Sequence, residues 1–109
     1  MEWYRRVGVK KQLMYDLIYT DEAKSNLAKL KKQGQIRKLK KIKKTLDKLK
    51  ENPRHPSLKT HKYQLFNNYN NEEIFEAYAE NNTPAAYRIF WHYGPNKDYI
   101  TILSITPHP

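Results

Sequence analysis

Two side chains carry most of the chemical information in this chain: His108, bracketed by Pro107 and Pro109, and Arg88, inside the run Ala86-Tyr-Arg-Ile-Phe-Trp-His-Tyr93. An imidazole exchanges protons near neutrality without a large pKa shift, and a guanidinium binds phosphate through two parallel hydrogen bonds. The chain has 21 Lys and Arg against 11 Asp and Glu, a formal charge of +10. A basic balance of that size favours an acidic partner, so RNA is the first substrate to consider. The flanking prolines narrow the backbone choices at His108 and argue for a held position.

Other candidates are less distinctive. His55 and His61 are six apart in a Pro-containing loop, a poor match to zinc-ligand spacing, and cysteine is absent. No metal, cofactor or disulfide framework is therefore expected, and the missing cysteines agree with a reducing compartment. Arg54, Lys59 and Lys62, with Tyr63, Phe66, Tyr69 and Tyr78, combine phosphate-binding charge with rings on which bases stack. Strand alternation places Arg88, Phe90 and His92 on one face and Tyr87, Ile89, Trp91 and Tyr93 on the other. The commonplace role for Arg88 is a pair with Glu76 or Glu80 of the neighbouring strand. His92, about 13 Å from Arg88 along the strand, is expected at the surface.

The elements that must position these groups follow from periodicity. Residues 1–13 have no clear period and are expected to be an appended arm or the product of a start assigned too early, with one domain over 14–109. Tyr15 to Thr20 reads as a strand leading into a helix over 21–33, because Thr20 is a good N-cap and Asp21 and Glu22 suit the positive end of the helix dipole. Gly34 offers the left-handed residue that ends it. A second helix starts near Gln35 with Ile36, Leu39, Ile42, Leu46 and Leu49 as one apolar stripe, and Asn52-Pro53 stops it. Lysines crowd the opposite side of these helices, the usual look of a solvated face.

Past residue 58 the period becomes that of strands. Residues 74–80, 85–93 and 99–105 form an antiparallel meander, 58–66 adds a possible fourth member, and Asn67 to Asn71 is a polar loop. The expected fold is α+β: an N-terminal strand and a two-helix hairpin packed on a small, mainly antiparallel twisted sheet. At 109 residues one core is expected. No apolar run reaches the roughly 18 residues of a membrane span, which makes the cytoplasm the default location.

This order of elements, with the strand Tyr87-Arg-Ile-Phe-Trp91 and the closing segment after Ile102-Leu-Ser-Ile105, resembles the RelE/ParE superfamily of bacterial type II toxin-antitoxin systems. The resemblance covers residues 14–109. It implies a ribosome-dependent messenger-RNA endonuclease of RelE or YoeB type, or a gyrase inhibitor of ParE type that cuts no RNA, or an inactive relative that binds only nucleic acid or antitoxin. Either toxin class is silenced by a cognate antitoxin, for which the lysine-rich face is a suitable partner.

By the same resemblance, Arg88 falls on the family's phosphate-contacting arginine, His108 on the terminal histidine of the YoeB group, and His55 nearest that group's candidate base. Glu76 and Tyr78 stand where RelE has two catalytic lysines. Metal-independent cleavage would then use His108 as acid, Arg88 as phosphate clamp and His55, His61 or Glu76 as base, with Arg54, Lys59, Lys62 and Tyr78 holding RNA.

Overall fold

The computed structural model describes residues 14–63, 73–81, 83 and 85–107. The expected arm over 1–13, the loop residues Phe66 and Tyr69, and His108 lie outside the described residues. The elements run β1 (Asp16–Tyr19), α1 (Asp21–Lys32), α2 (Ile36–Glu51), a short 3-10 turn (Pro56–Leu58), β2 (His61–Lys62), β3 (Phe75–Tyr78), β4 (Tyr87–Tyr93) and β5 (Tyr99–Pro107). The five strands form one sheet in the order β1-β5-β4-β3-β2. Pairing is antiparallel except between β1 and β5, where Asp16 to Tyr19 run parallel to Tyr99 to Ile102. The expected α+β class and meander are therefore present, and the possible strand over 58–66 is confined to His61 and Lys62 among the described residues.

The helix boundaries follow the anticipated chemistry. Thr20 caps α1 by accepting from the Ala23 amide at 3.1 Å. At the far end the Gln35 amide reaches the Leu30 carbonyl and the Gly34 amide the Lys31 carbonyl, each at 3.0 Å. This double closure needs a left-handed residue, and Gly34 takes it at φ +70°. Helix α2 ends at Asn52, whose amide still bonds the Lys48 carbonyl, just before Pro53. Ile42, Leu46 and Leu49 of its stripe are buried, but Ile36 is 58% exposed because it sits on the first turn, beyond the sheet.

Both helices lie on one face of the sheet. Ala23, Leu30, Ile42 and Leu49 meet Ala77, Ile89, Trp91, Ile100, Ile102 and Ile105 in a single core cluster. Strand β5 shifts register against β4 between Phe90 and Trp91, so that Phe90 faces Ser104 and Trp91 faces Ile102. The one-residue slip lets Ile100, Ile102 and Ile105 all point into the core.

Strand β5 outruns its parallel neighbour, and side chains of α1 and its cap take over where β1 stops. The Thr20 hydroxyl donates to the Leu103 carbonyl at 2.7 Å, and the Asn26 carboxamide oxygen accepts from the Ile105 amide at 2.8 Å. Asn26 is itself held by donation to Glu22 at 3.2 Å. These bonds replace a missing strand, since backbone groups left unpaired in a part-buried setting cost about 1–3 kcal/mol each.

A second tie joins α2 to the β3–β4 hairpin. The Glu80 carboxylate accepts from the Tyr87 amide at 3.0 Å and from the Lys38 ammonium at 3.2 and 3.3 Å, with the Lys41 ammonium 4.0 Å away. Burial favours the neutral acid, yet the Tyr87 amide and the two lysines outweigh it and hold the carboxyl below the ordinary carboxylate range. A carboxyl depressed on folding contributes stability above its unfolded pKa and loses it as pH falls through the folded value.

Asn26→Ala is expected to lower unfolding stability by about 1–2 kcal/mol, while Ser25→Ala on the exposed side of the same helix changes it by less than about 0.5 kcal/mol. Urea unfolding measures both. Below about pH 4.3 the wild-type chain should lose stability that Glu80→Gln lacks from the outset, so the gap between the two narrows with acid. A gap that stays constant from pH 7 to pH 3 would show that Glu80 is not ionised in the folded chain.

Candidate active site

With the helices on one side, the other face of the sheet carries a row of polar and aromatic groups. Register places Tyr78, Arg88 and Thr106 side by side on β3, β4 and β5, and Glu76, Phe90 and Ser104 one step along. On the outer strand His61 stands opposite Glu76. Successive residues of a strand alternate between faces, so this row and the core row cannot mix.

Arg88 lies across Tyr78, its guanidinium carbon 3.9 Å from the ring centroid. Neither anticipated acid reaches it: Glu80 is taken up by Tyr87, Lys38 and Lys41, and Glu76 by His61. The Arg88 Nε and Nη1 atoms are buried and have no hydrogen-bond partner. The ring face stabilises the cation by cation–π attraction, on the order of 0.5–2 kcal/mol, but supplies no acceptor. The guanidinium thus keeps two buried donors without an acceptor, which an oxyanion would satisfy once the side chain turns out from Tyr78.

His61 and Glu76 form the second part of the site. The His61 Nε2 is 2.7 Å from Glu76 Oε1, and its Nδ1 is 3.2 Å from the Lys59 carbonyl. The ring also meets Tyr78 edge-on, with centroids 5.7 Å apart. Tyr78 therefore touches both the histidine and the arginine, linking an acid–base pair to a phosphate-type donor. Glu76 is only 5% exposed while His61 stands at the surface, so solvent reaches the pair from the imidazole side.

The remaining candidates separate into different surroundings. His55 caps the 3-10 turn, its Nδ1 accepting from the Ser57 amide at 3.1 Å. It lines a cavity with Phe75, Trp91 and Tyr93, whose side chains belong to the helix-facing side, so the sheet stands between His55 and Arg88. Arg54 and Lys59 line that same cavity. Lys62 is on the surface, 2.8 Å from Glu73. His92 is 7% exposed, not at the surface as expected, and its Nδ1 donates to the Tyr93 carbonyl at 2.8 Å.

The structure thus unites Arg88, Tyr78, Glu76 and His61, and parts them from His55, Arg54 and Lys59. Strand β5 brings Thr106 into register with Arg88 and Pro107 with Tyr87, which carries the chain to the edge of the same row immediately before His108. The His61–Glu76 pair has no strong sequence signal, because a two-residue strand is too short to show alternation. Among the described residues, no three His, Asp or Glu side chains converge on a metal-sized site, and no helix is long and apolar enough to cross a membrane.

No protein-family model and no curated protein sequence matches the chain. Solved structures do. An archaeal RelE, in complex with RelB, from Pyrococcus horikoshii OT3 superimposes with a TM-score of 0.59 at 16% identity, over 86% of this chain and 94% of the other. A YoeB/ParE toxin from Agrobacterium tumefaciens gives 0.66 at 11% identity, over 86% and 99%. The Staphylococcus aureus YoeB in complex with YefM gives 0.57 at 16% identity, over 87% and 98%. At such low identity the likeness is one of architecture, and it agrees with the strand, hairpin and meander derived above: the chain has the fold of the RelE/YoeB-like toxins.

Proposed function

We propose that the chain is a RelE/YoeB-like toxin that cleaves messenger RNA at the ribosome and is held in check by a cognate antitoxin. The observation that carries this reading is Arg88, a half-buried guanidinium on the face away from the helices whose Nε and Nη1 have no acceptor. A structure that keeps a cation partly desolvated without an anion forgoes stability, and a phosphate oxygen would restore it. Support comes also from the fold, from the match of Arg88 to the strand arginine of the resembled family, and from the acid–base pair next to it.

In the proposed reaction the His61–Glu76 pair draws the proton from a ribose 2′-OH and that oxygen bonds to the adjacent phosphorus. The bond from phosphorus to the 5′ oxygen breaks, and the departing oxygen takes a proton from His108. Arg88 neutralises the charge that builds on the non-bridging oxygens. The products are a 2′,3′-cyclic phosphate and a free 5′-hydroxyl, and no metal enters the step. The antitoxin partner is supported by the RelB and YefM chains bound to two of the similar structures.

A second reading, binding without cleavage as in ParE-type gyrase inhibitors or inactive homologues, rests on His61 itself. Both of its ring nitrogens already face acceptors, Glu76 and the Lys59 carbonyl. One of these contacts must open before His61 accepts a proton from substrate. If the pair never opens, the row of groups grips an anion and does nothing further.

Expression of the wild-type chain should arrest growth and produce new 5′ ends in messages, mapped by primer extension. Arg88→Ala and Arg88→Lys should each reduce cleavage by on the order of 100-fold or more, and His108→Ala and Glu76→Gln should do likewise with far-UV circular dichroism unchanged. Growth arrest with intact messages, unaffected by His108→Ala, would discard the nuclease and leave the binding reading.

A further inference from the structure

The helix-facing side of the sheet holds a second place where polar and aromatic groups converge, and the reaction proposed above does not use it. Where α2 ends, the chain between Asn52 and Thr60 stands off the sheet and leaves a cavity of about 360 Å³ lined by Arg54, Lys59, Phe75, Trp91 and Tyr93. It adjoins a more open one of about 680 Å³, which shares Arg54 and Tyr93 and adds Tyr15 and Lys97. Each lies within the roughly 300–1,000 Å³ usual for small-molecule sites.

The aromatic wall is continuous. Phe75 and Trp91 stack at 4.9 Å, Tyr93 meets Trp91 edge-on at 4.9 Å, and Tyr15 lies 6.0 Å from Tyr93. Trp91 is 1% exposed, yet its indole Nε1 is among the buried donors with no hydrogen-bond partner. Trp91 thus forms the floor of the cleft, its ring covered by Phe75 and Tyr93. Arg54 lines both cavities beside Tyr93, and its charge offsets part of the upward push that burial gives the Tyr93 hydroxyl. Lys59 and Lys97 add positive charge on either side, against Glu51 as the one acid lining either cavity.

Flat aromatic walls and a cationic rim make a site for a ligand with a planar heterocycle and a phosphate. We propose that this cleft binds a nucleotide, its base against Phe75 and Tyr93 and its phosphate on Arg54 and Lys59, on the side of the sheet opposite Arg88. Base–aromatic stacking and charge-assisted phosphate contacts are the two terms that hold single-stranded nucleic acid in general. A free mononucleotide and one unit of an RNA strand offer the same chemistry. The site is independent of cleavage at Arg88, and each can fail without the other.

The indole N–H resonance of Trp91 reports on the cleft directly, and Trp3→Phe removes the other tryptophan signal of the full chain. Titration with the four ribonucleoside 5′-monophosphates, with a 2′-O-methylated octanucleotide that resists cleavage, and with ribose 5-phosphate separates the sources. A saturable shift with a mononucleotide identifies the free ligand, and a shift with the octanucleotide alone identifies the strand. In either case Arg54→Gln with Lys59→Gln should weaken binding about tenfold or more, and Arg88→Ala should leave it unchanged. The proposal is overturned if neither probe moves the resonance, if ribose 5-phosphate moves it equally, or if the Arg54 and Lys59 substitutions have no effect.

Discussion

Strand β5 has to satisfy hydrogen bonds on both of its edges, and the way it does so fixes the rest of the molecule. One edge is covered by β4 along its length, the other by β1 only as far as Ile102. Beyond that point Thr20 and Asn26 complete the ladder. Because one side chain caps α1 and the other lies in its second turn, the bonding also sets where the helical hairpin sits. The hairpin then covers one face only, and the polar row lies on the opposite face, where Tyr63 packs on Phe90.

That asymmetry explains why charged groups behave so differently across the sheet. Glu80, where the hairpin meets the sheet, is neutralised by two lysines and an amide and serves the fold. Arg88 lies across the Tyr78 ring, its Nε and Nη1 buried and without an acceptor. The same cost of burying charge is met internally in the first case and left open in the second, and an uncompensated cation is the more informative about ligands. Glu76 is intermediate: buried, but within 2.7 Å of an imidazole nitrogen at the surface.

Much of this was legible in the residues themselves. Thr20, the acidic first turn and Gly34 define α1 through local backbone chemistry, and the 3-4 spacing of Ile42, Leu46 and Leu49 defines the buried side of α2. Alternation along β4 sorted Arg88 from Trp91 correctly, since a strand has no other way to display its side chains. What could not be read was partnership across large separations. Asn26 finds Ile105 and Lys38 finds Glu80 because the sheet brings them together, and no local pattern marks either pair. For the same reason sequence proximity to His61 groups Arg54 and Lys59 with Arg88, although the sheet divides their side chains.

The parallel β1–β5 pairing has a further consequence during synthesis. Asp16 cannot meet Tyr99, nor Tyr19 meet Ile102, until more than eighty intervening residues have been made. Contacts of such long sequence separation close late, after local helices and hairpins have formed. A nascent or prematurely terminated chain thus has its hairpin and β2 to β4 but not β5, and Arg88 lacks Thr106 beside it. The polar row is completed on that side only with the last tenth of the polypeptide, so partial translation products carry it without Ser104 and Thr106.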